Sequence, residues 1–140
     1  MAVAPLNRVR EVVEYAMTRV SSAKIFLGIP TYGYDWTLPY TKGGAGAPSI
    51  SPVEAVNLAR KYGADILYDE TAQSPYFRYT DNDGRLHEVW FEDARSNTAK
   101  LELIKEFGLF GAGYWNSMRE FPQNWVTLNA NYNILNISLL

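Results

Sequence analysis

Cysteine is absent from the 140 residues, and histidine occurs once, at His87. Without Cys there is no disulfide, no thiolate metal site and no thiol nucleophile. A single His leaves no His-rich zinc or iron centre and weakens any Ser–His nucleophile scheme. Excess charge is lacking too: 13 Lys+Arg face 15 Asp+Glu, for a net charge of −2, and no basic run stands out. Nucleic acid, whose binding rests on neutralising phosphates, is therefore not an expected partner. No apolar run approaches the ~20 residues of a membrane span. The opening Met1-Ala-Val-Ala-Pro5 lacks the charged and apolar regions of a secretion signal. Internal repeats and low-complexity tracts are missing as well.

Aromatic residues are plentiful: ten Tyr, six Phe and four Trp, 14% of the chain. Aromatic side chains fill cores first, and they also stack on sugar rings. At roughly 100–200 residues per domain, the length means one domain or part of one. A chain of this size hides roughly 68–70% of its unfolded surface, enough for a real core.

The hydrophobic pattern predicts α/β organisation. Val9, Val12, Val13, Ala16, Met17 and Val20 recur at helical spacing from about Asn7, whose side chain can cap the free N–H groups. After Ser21-Ser22, Lys24-Ile-Phe-Leu-Gly-Ile-Pro30 reads as a short strand buried on both faces, as parallel strands are. Thr37 to Ser49 reads as a Gly- and Pro-rich loop. Ser51-Pro52-Val53-Glu54 is a capping box with Pro at the first helical position, and the helix behind it stops at Gly63. Strands follow at 65–69, 76–80 and 85–91, the last two flanking a hairpin at Asp83-Gly84. Asp93 or Ser96 can cap a helix running to Phe107, which ends at Gly108. A second buried strand covers 109–115, and Pro122 opens a last helix through Trp125, Leu128 and Tyr132. This gives two helix–strand units of one α/β layer, interrupted by a small α+β insertion. A parallel sheet of two strands is not a stable domain by itself, so the chain reads as a piece of something larger.

Three motifs carry a resemblance. Lys24-Ile-Phe-Leu-Gly-Ile-Pro-Thr-Tyr-Gly33 resembles the seventh barrel strand of glycoside hydrolase family 18, the chitinase family, with its pattern K-x-x-L-G-x-P-x-Y-G. Trp90-Phe-Glu-Asp-Ala-Arg-Ser96 with Lys100 resembles the family's Y-D-D-x-x-S-x-x-x-K, which joins its α+β insertion back to the barrel. Phe110-Gly-Ala-Gly-Tyr-Trp115 resembles the eighth strand, which ends in Trp. Tyr34-Asp-Trp-Thr-Leu-Pro-Tyr40, Gln73-Ser-Pro-Tyr76 and Phe121-Pro-Gln-Asn-Trp125 resemble the bacterial branch that includes spore-cortex and cell-wall N-acetylglucosaminidases. The resemblance implies a partial (β/α)8 barrel, with its last two strands and their helices in 1–36 and 94–140 and an α+β insertion at 37–93.

It also implies a polysaccharide partner containing N-acetylglucosamine, peptidoglycan or chitin, and a secreted, cell-wall or spore-associated setting in a bacterium. No metal or organic cofactor is implied. In the family's reaction a Glu protonates the glycosidic oxygen while the substrate's own N-acetyl oxygen attacks the anomeric carbon, an exception to the two-carboxylate pattern. That Glu closes a D-x-x-D-x-D-x-E motif, which this sequence lacks; Asp81-Asn-Asp83 runs into Gly84-Arg85, a turn. A (β/α)8 barrel typically takes ~250 residues, so this chain holds about half of one and is expected to be inactive alone. Its binding partner is then the missing N-terminal barrel half, or another copy of itself.

By the resemblance, Trp115 forms the floor of the pocket under the sugar at the scissile bond, against the alternative of a core Trp. Tyr32 matches a cleft-lining Tyr. Tyr34 stands where chitinases commonly have Arg. Tyr34, Asp35 and Trp36 leave the strand end on the substrate side, and Asp35 has two candidate roles: a bond to a sugar hydroxyl, or satisfying loop N–H groups. No residue is assigned as catalytic acid. The adjacent Glu92-Asp93 pair is read as capping the next helix, and His87 as structural or surface. Tyr76 and Trp90 are read as either a sugar-stacking wall or insertion core, and Asp69-Glu70 as a solvated turn. Gly43-Gly-Ala-Gly46 lacks the Lys-Ser/Thr of a phosphate loop and reads as flexible. A sugar-binding module without catalysis is the rival reading.

Overall fold

The structure, a computed structural model, describes residues 1–43, 46–116, 118–119 and 121–133. Among these residues four α-helices, α1 (Leu6–Met17), α2 (Pro52–Tyr62), α3 (Ala94–Phe107) and α4 (Pro122–Asn131), and a short 3-10 turn at Ser22–Lys24 accompany seven strands. These are β1 (Phe26–Pro30), β2 (Gly33–Thr37), β3 (Ser49–Ile50), β4 (Leu67–Asp69), β5 (Ser74–Thr80), β6 (Leu86–Trp90) and β7 (Gly111–Trp115).

Two sheets organise the chain. β1 and β7 pair in parallel, with Phe26 opposite Gly111 and Pro30 opposite Trp115. The other sheet has five antiparallel strands in the order β3-β2-β6-β5-β4. This architecture is that of a partial (β/α)8 barrel carrying an α+β insertion. The five-stranded sheet opens at Gly33, inside the stretch assigned above to the barrel. Gly33 sits hard against β6: a β-carbon there would collide with the Trp90 carbonyl and with Phe91. Only glycine lets the chain pass from one sheet into the other at this point.

Each sheet has its own core. Val13 of α1, Leu27 and Ile29 of β1, Leu101, Leu103 and Ile104 of α3, and Leu109 form one cluster. Ala55 and Ala59 of α2 pack with Phe77, Tyr79, Val89 and Phe91 in the other.

Local signals explain most helix ends. Ser51 Oγ accepts from the Glu54 N–H while Glu54 accepts from the Ser51 N–H, and Gly63 closes α2 at φ +63°. Asp93 and Ser96 cap α3 reciprocally, so both candidates take part, and Gly108 ends it at φ +58°. The turn after β5 is held by Asp81 Oδ1, which accepts from the N–H groups of Asp83 and Arg85, with Gly84 at φ +80°.

Three expectations are corrected. Asn7 does not cap α1; it lies inside the helix, and Pro5 precedes it, its carbonyl accepting from Arg8 and Val9. The helix also stops at Met17 rather than Val20, where Thr18 folds its hydroxyl back onto the Tyr15 carbonyl at 2.7 Å. β1 is not buried on both faces. Leu27 and Ile29 point into the helical core, whereas Phe26 is 61% exposed and Gly28 is exposed beside it. A parallel strand buries both faces only when both are covered, and here only the helix side is. Phe110 is similarly 64% exposed, its ring 4.8 Å from that of Phe26.

Candidate functional site

Parallel pairing brings the C-terminal ends of β1 and β7 side by side, so Pro30 lies opposite Trp115. Trp115 is 71% exposed. The peptide bond from Trp115 to Asn116 is cis. Beyond Pro30 the chain turns at Thr31 into Tyr32, then into β2.

Residues alternate faces along a strand, and this divides the candidates. Tyr32, Tyr34 and Trp36 form an aromatic ladder: the Tyr32 and Tyr34 rings meet edge-on at 5.6 Å, and those of Tyr34 and Trp36 lie 5.7 Å apart. Tyr40 extends it, 5.9 Å from Trp36. Burial, and then Tyr34, push the Tyr32 hydroxyl above its ordinary pKa, so it stays a neutral donor. Across the sheet, Tyr34 is opposite Trp90, which is opposite Tyr76. Trp90 and Tyr76 stack at 4.6 Å and 17°. They are thus partners on the sheet face away from the α2 core, not members of that core cluster.

One charged pair adjoins this row. Trp90 Nε1 donates to Glu88 Oε1 at 2.7 Å, and Arg78 Nε donates to Glu88 Oε2 at 2.8 Å. Burial pushes the Glu88 carboxyl up, but these two bonds and the Arg78 charge bring it below its usual range. It is a held carboxylate, not a poised acid.

Asp35 faces the other way. Its oxygens accept from the Tyr79 hydroxyl at 2.6 Å and contact His87 Nδ1 at 2.9 Å, so its partners among the described residues are side chains. His87 Nε2 lies 3.2 Å from Asp81 Oδ2, and its ring stacks on Tyr79 at 4.7 Å. Burial, then the bond to Asp35, raise the Tyr79 hydroxyl well above its ordinary value. Asp81 is brought down to about 2, chiefly by the Arg85 N–H, against some desolvation and with help from the Arg85 and His87 side chains. His87 therefore has a structural place, tying the 81–85 turn to β2.

The acidic pair at 92–93 splits. Asp93 caps α3, while Glu92 is sealed in the interior, accepting from Ser96 Oγ at 2.6 Å and Lys100 Nζ at 2.8 Å. Asp69 holds its turn by accepting from the N–H groups of Thr71 and Ala72. Two of the glycine-run residues, 44 and 45, lie outside the described residues. Among the described residues, no cluster of three or more His, Asp or Glu side chains is arranged for a metal, and no helix is long and apolar enough to cross a membrane.

Two residues escaped the sequence reading. Thr31 is only 4% exposed and bonds the far end of β7, and Arg119 donates to Ser49 Oγ at 2.6 Å, fastening the segment beyond β7 to β3. Thr31 sits between two motif residues, which was the one available hint.

Residues 2–120 match the family model for glycosyl hydrolases family 18. The chain belongs to that family. It is 53% identical over 134 residues to the cortical fragment-lytic enzyme of Bacillus subtilis, covering 96% of this chain and 31% of that protein. The crystal structure of the Bacillus megaterium spore cortex-lytic enzyme SleL superposes with a TM-score of 0.93 at 52% identity, over 96% of this chain and 32% of that one. A more distant family member, a Cycas revoluta chitinase solved as a mutant in complex with (GlcNAc)4, has a TM-score of 0.57 at 30% identity, covering 74% and 31%. The chain thus spans about a third of the length of these relatives, and the family's D-x-x-D-x-D-x-E is absent from it.

Proposed function

We propose that this chain is the C-terminal part of a family-18 glycosidase barrel acting on N-acetylglucosamine-containing polymers, with spore-cortex peptidoglycan as the favoured substrate. Trp115 is the cleft floor. Tyr32, Tyr34 and Trp36 form a wall, and Asp35 supports that wall from behind through Tyr79 and His87. The observation that carries this reading is Trp115: a large, 71% exposed indole at the strand end where active sites of (β/α)8 barrels gather, with Thr31 and Tyr32 leaving the paired strand at the same end. The relatives' names add the substrate class, and their spore-cortex setting favours a spore-associated protein.

The catalytic Glu and the remaining strands come from the other part of the barrel, which covers the exposed Phe26, Gly28 and Phe110 and pairs with the free edges of β1 and β7. Alone, the chain supplies binding surface and no acid. The test is complementation. Expressed with the other two-thirds of the Bacillus subtilis cortical fragment-lytic enzyme, the chain is expected to form a complex that releases reducing ends from cortical fragments. Neither part alone should do so. Turnover by the chain alone, lost on mutating one of its own carboxylates, would overturn this reading.

A further inference from the structure

Among the described residues, nothing hydrogen-bonds the Trp115 indole, and the ring is mostly in the open. Its aim is therefore set by the backbone from which it leaves β7. Beyond the β1–β7 ladder, Thr31, the residue after β1, holds that backbone at its exit. The Thr31 N–H donates to the Trp115 carbonyl at 3.0 Å, and Thr31 Oγ1 donates to the Asn116 carbonyl at 2.7 Å. The two bonds bracket the peptide that follows Trp115, and Thr31 is buried while making them. Any residue but proline supplies the first bond; only a side-chain donor supplies the second. Thr31 also occupies a position that the family pattern K-x-x-L-G-x-P-x-Y-G leaves open.

We propose that Thr31 is a positioning residue: its hydroxyl fixes the exit of Trp115 from β7 and so sets the floor of the cleft against the wall that begins at Tyr32. This deepens the cleft reading and rests on it for its consequence in sugar recognition. Supporting groups that lock a contact residue are a recurrent need of binding sites, since small errors of placement are costly. Thr31→Val keeps the shape and removes the donor, leaving the half-buried Asn116 carbonyl only the longer 3.4 Å bond from the Arg119 N–H. Thr31→Ser keeps the donor.

The decisive measurement uses the chain labelled with 5-fluorotryptophan, whose four fluorine resonances are assigned by single Trp→Phe substitutions. Thr31→Val should shift or broaden the Trp115 resonance and leave those of Trp36, Trp90 and Trp125 in place, with Thr31→Ser close to the parent. An unmoved Trp115 resonance, a common shift of all four, or a Ser variant behaving like Val would each overturn the proposal. For function, a chimera carries this chain in place of the matching third of the Bacillus subtilis cortical fragment-lytic enzyme. There Thr31→Val should lower kcat/KM about 2- to 10-fold, the range of one net hydrogen bond, with Thr31→Ser restoring it. A parent chimera without activity would count against the cleft reading, while the fluorine spectrum alone still decides Thr31.

Discussion

Lys100 Nζ lies 2.8 Å from Glu92 Oε2, and both side chains are closed off from solvent. Glu92 follows β6 of the five-stranded sheet and Lys100 lies on α3, so the pair rivets the aromatic sheet to the barrel helix. Burial pushes the Glu92 carboxyl up, while the Lys100 charge and the bonds from Lys100 and Ser96 work the other way. Removing one partner strands a buried charge, which typically costs about 3–5 kcal/mol, whereas replacing both by apolar groups is often neutral. Glu92→Leu or Lys100→Met alone should therefore destabilise the chain by about that amount. The double change Glu92→Leu with Lys100→Met should cost much less. Urea unfolding of the three variants checks this, and additive losses would contradict it.

Acid should loosen the β5–β6 turn first. Asp81 is held at about 2, below its ordinary 3.8, mainly by the Arg85 N–H. A carboxyl depressed in the folded state adds stability above its unfolded pKa and loses it as pH falls through the folded value. The contribution should thus fade between about pH 4 and pH 2. Protection of the Asp83 and Arg85 amides, taken relative to their intrinsic exchange at each pH, should fall across that window in the parent chain. In Asp81→Asn that protection should be low throughout.

Sugar binding by the isolated chain should be weak. One aromatic stacking face is worth about 1–3 kcal/mol by analogy with base stacking, and millimolar affinity already needs about 4 kcal/mol. N-acetylglucosamine oligomers are expected to bind more weakly than about millimolar, with any signal reduced in Trp115→Ala. Micromolar affinity by calorimetry would make a self-sufficient sugar-binding module the better account.

Phe26 and Phe110 should drive self-association when the rest of the barrel is absent. Both rings are exposed, and among the described residues β1 and β7 each leave a strand edge unpaired, a known route to edge pairing. Light scattering should show oligomers at high concentration, reduced by Phe110→Lys. A compact monomer with protected β1 and β7 amides would contradict this.

What sequence alone determined about this chain is mostly local. The boxes Ser51–Glu54 and Asp93–Ser96, the stops at Gly63 and Gly108 and the turn at Gly84 each involve residues within a few positions, so side-chain chemistry at short range decides them. The motifs around Pro30, Glu92 and Trp115 were likewise enough to point to family 18. Tertiary structure decided which face each residue shows. Asp35 meets Tyr79 and His87 across 44 and 52 residues, and its separation from Tyr34 and Trp36 follows only once β2 is known to be a strand of the five-stranded sheet. Phe26 and Trp115 are apolar in sequence, yet both are exposed, because burial depends on what covers a strand and not on its own hydrophobicity. Thr31 was invisible for the same reason: a threonine after a strand has no evident task until β7 brings two carbonyls within its reach.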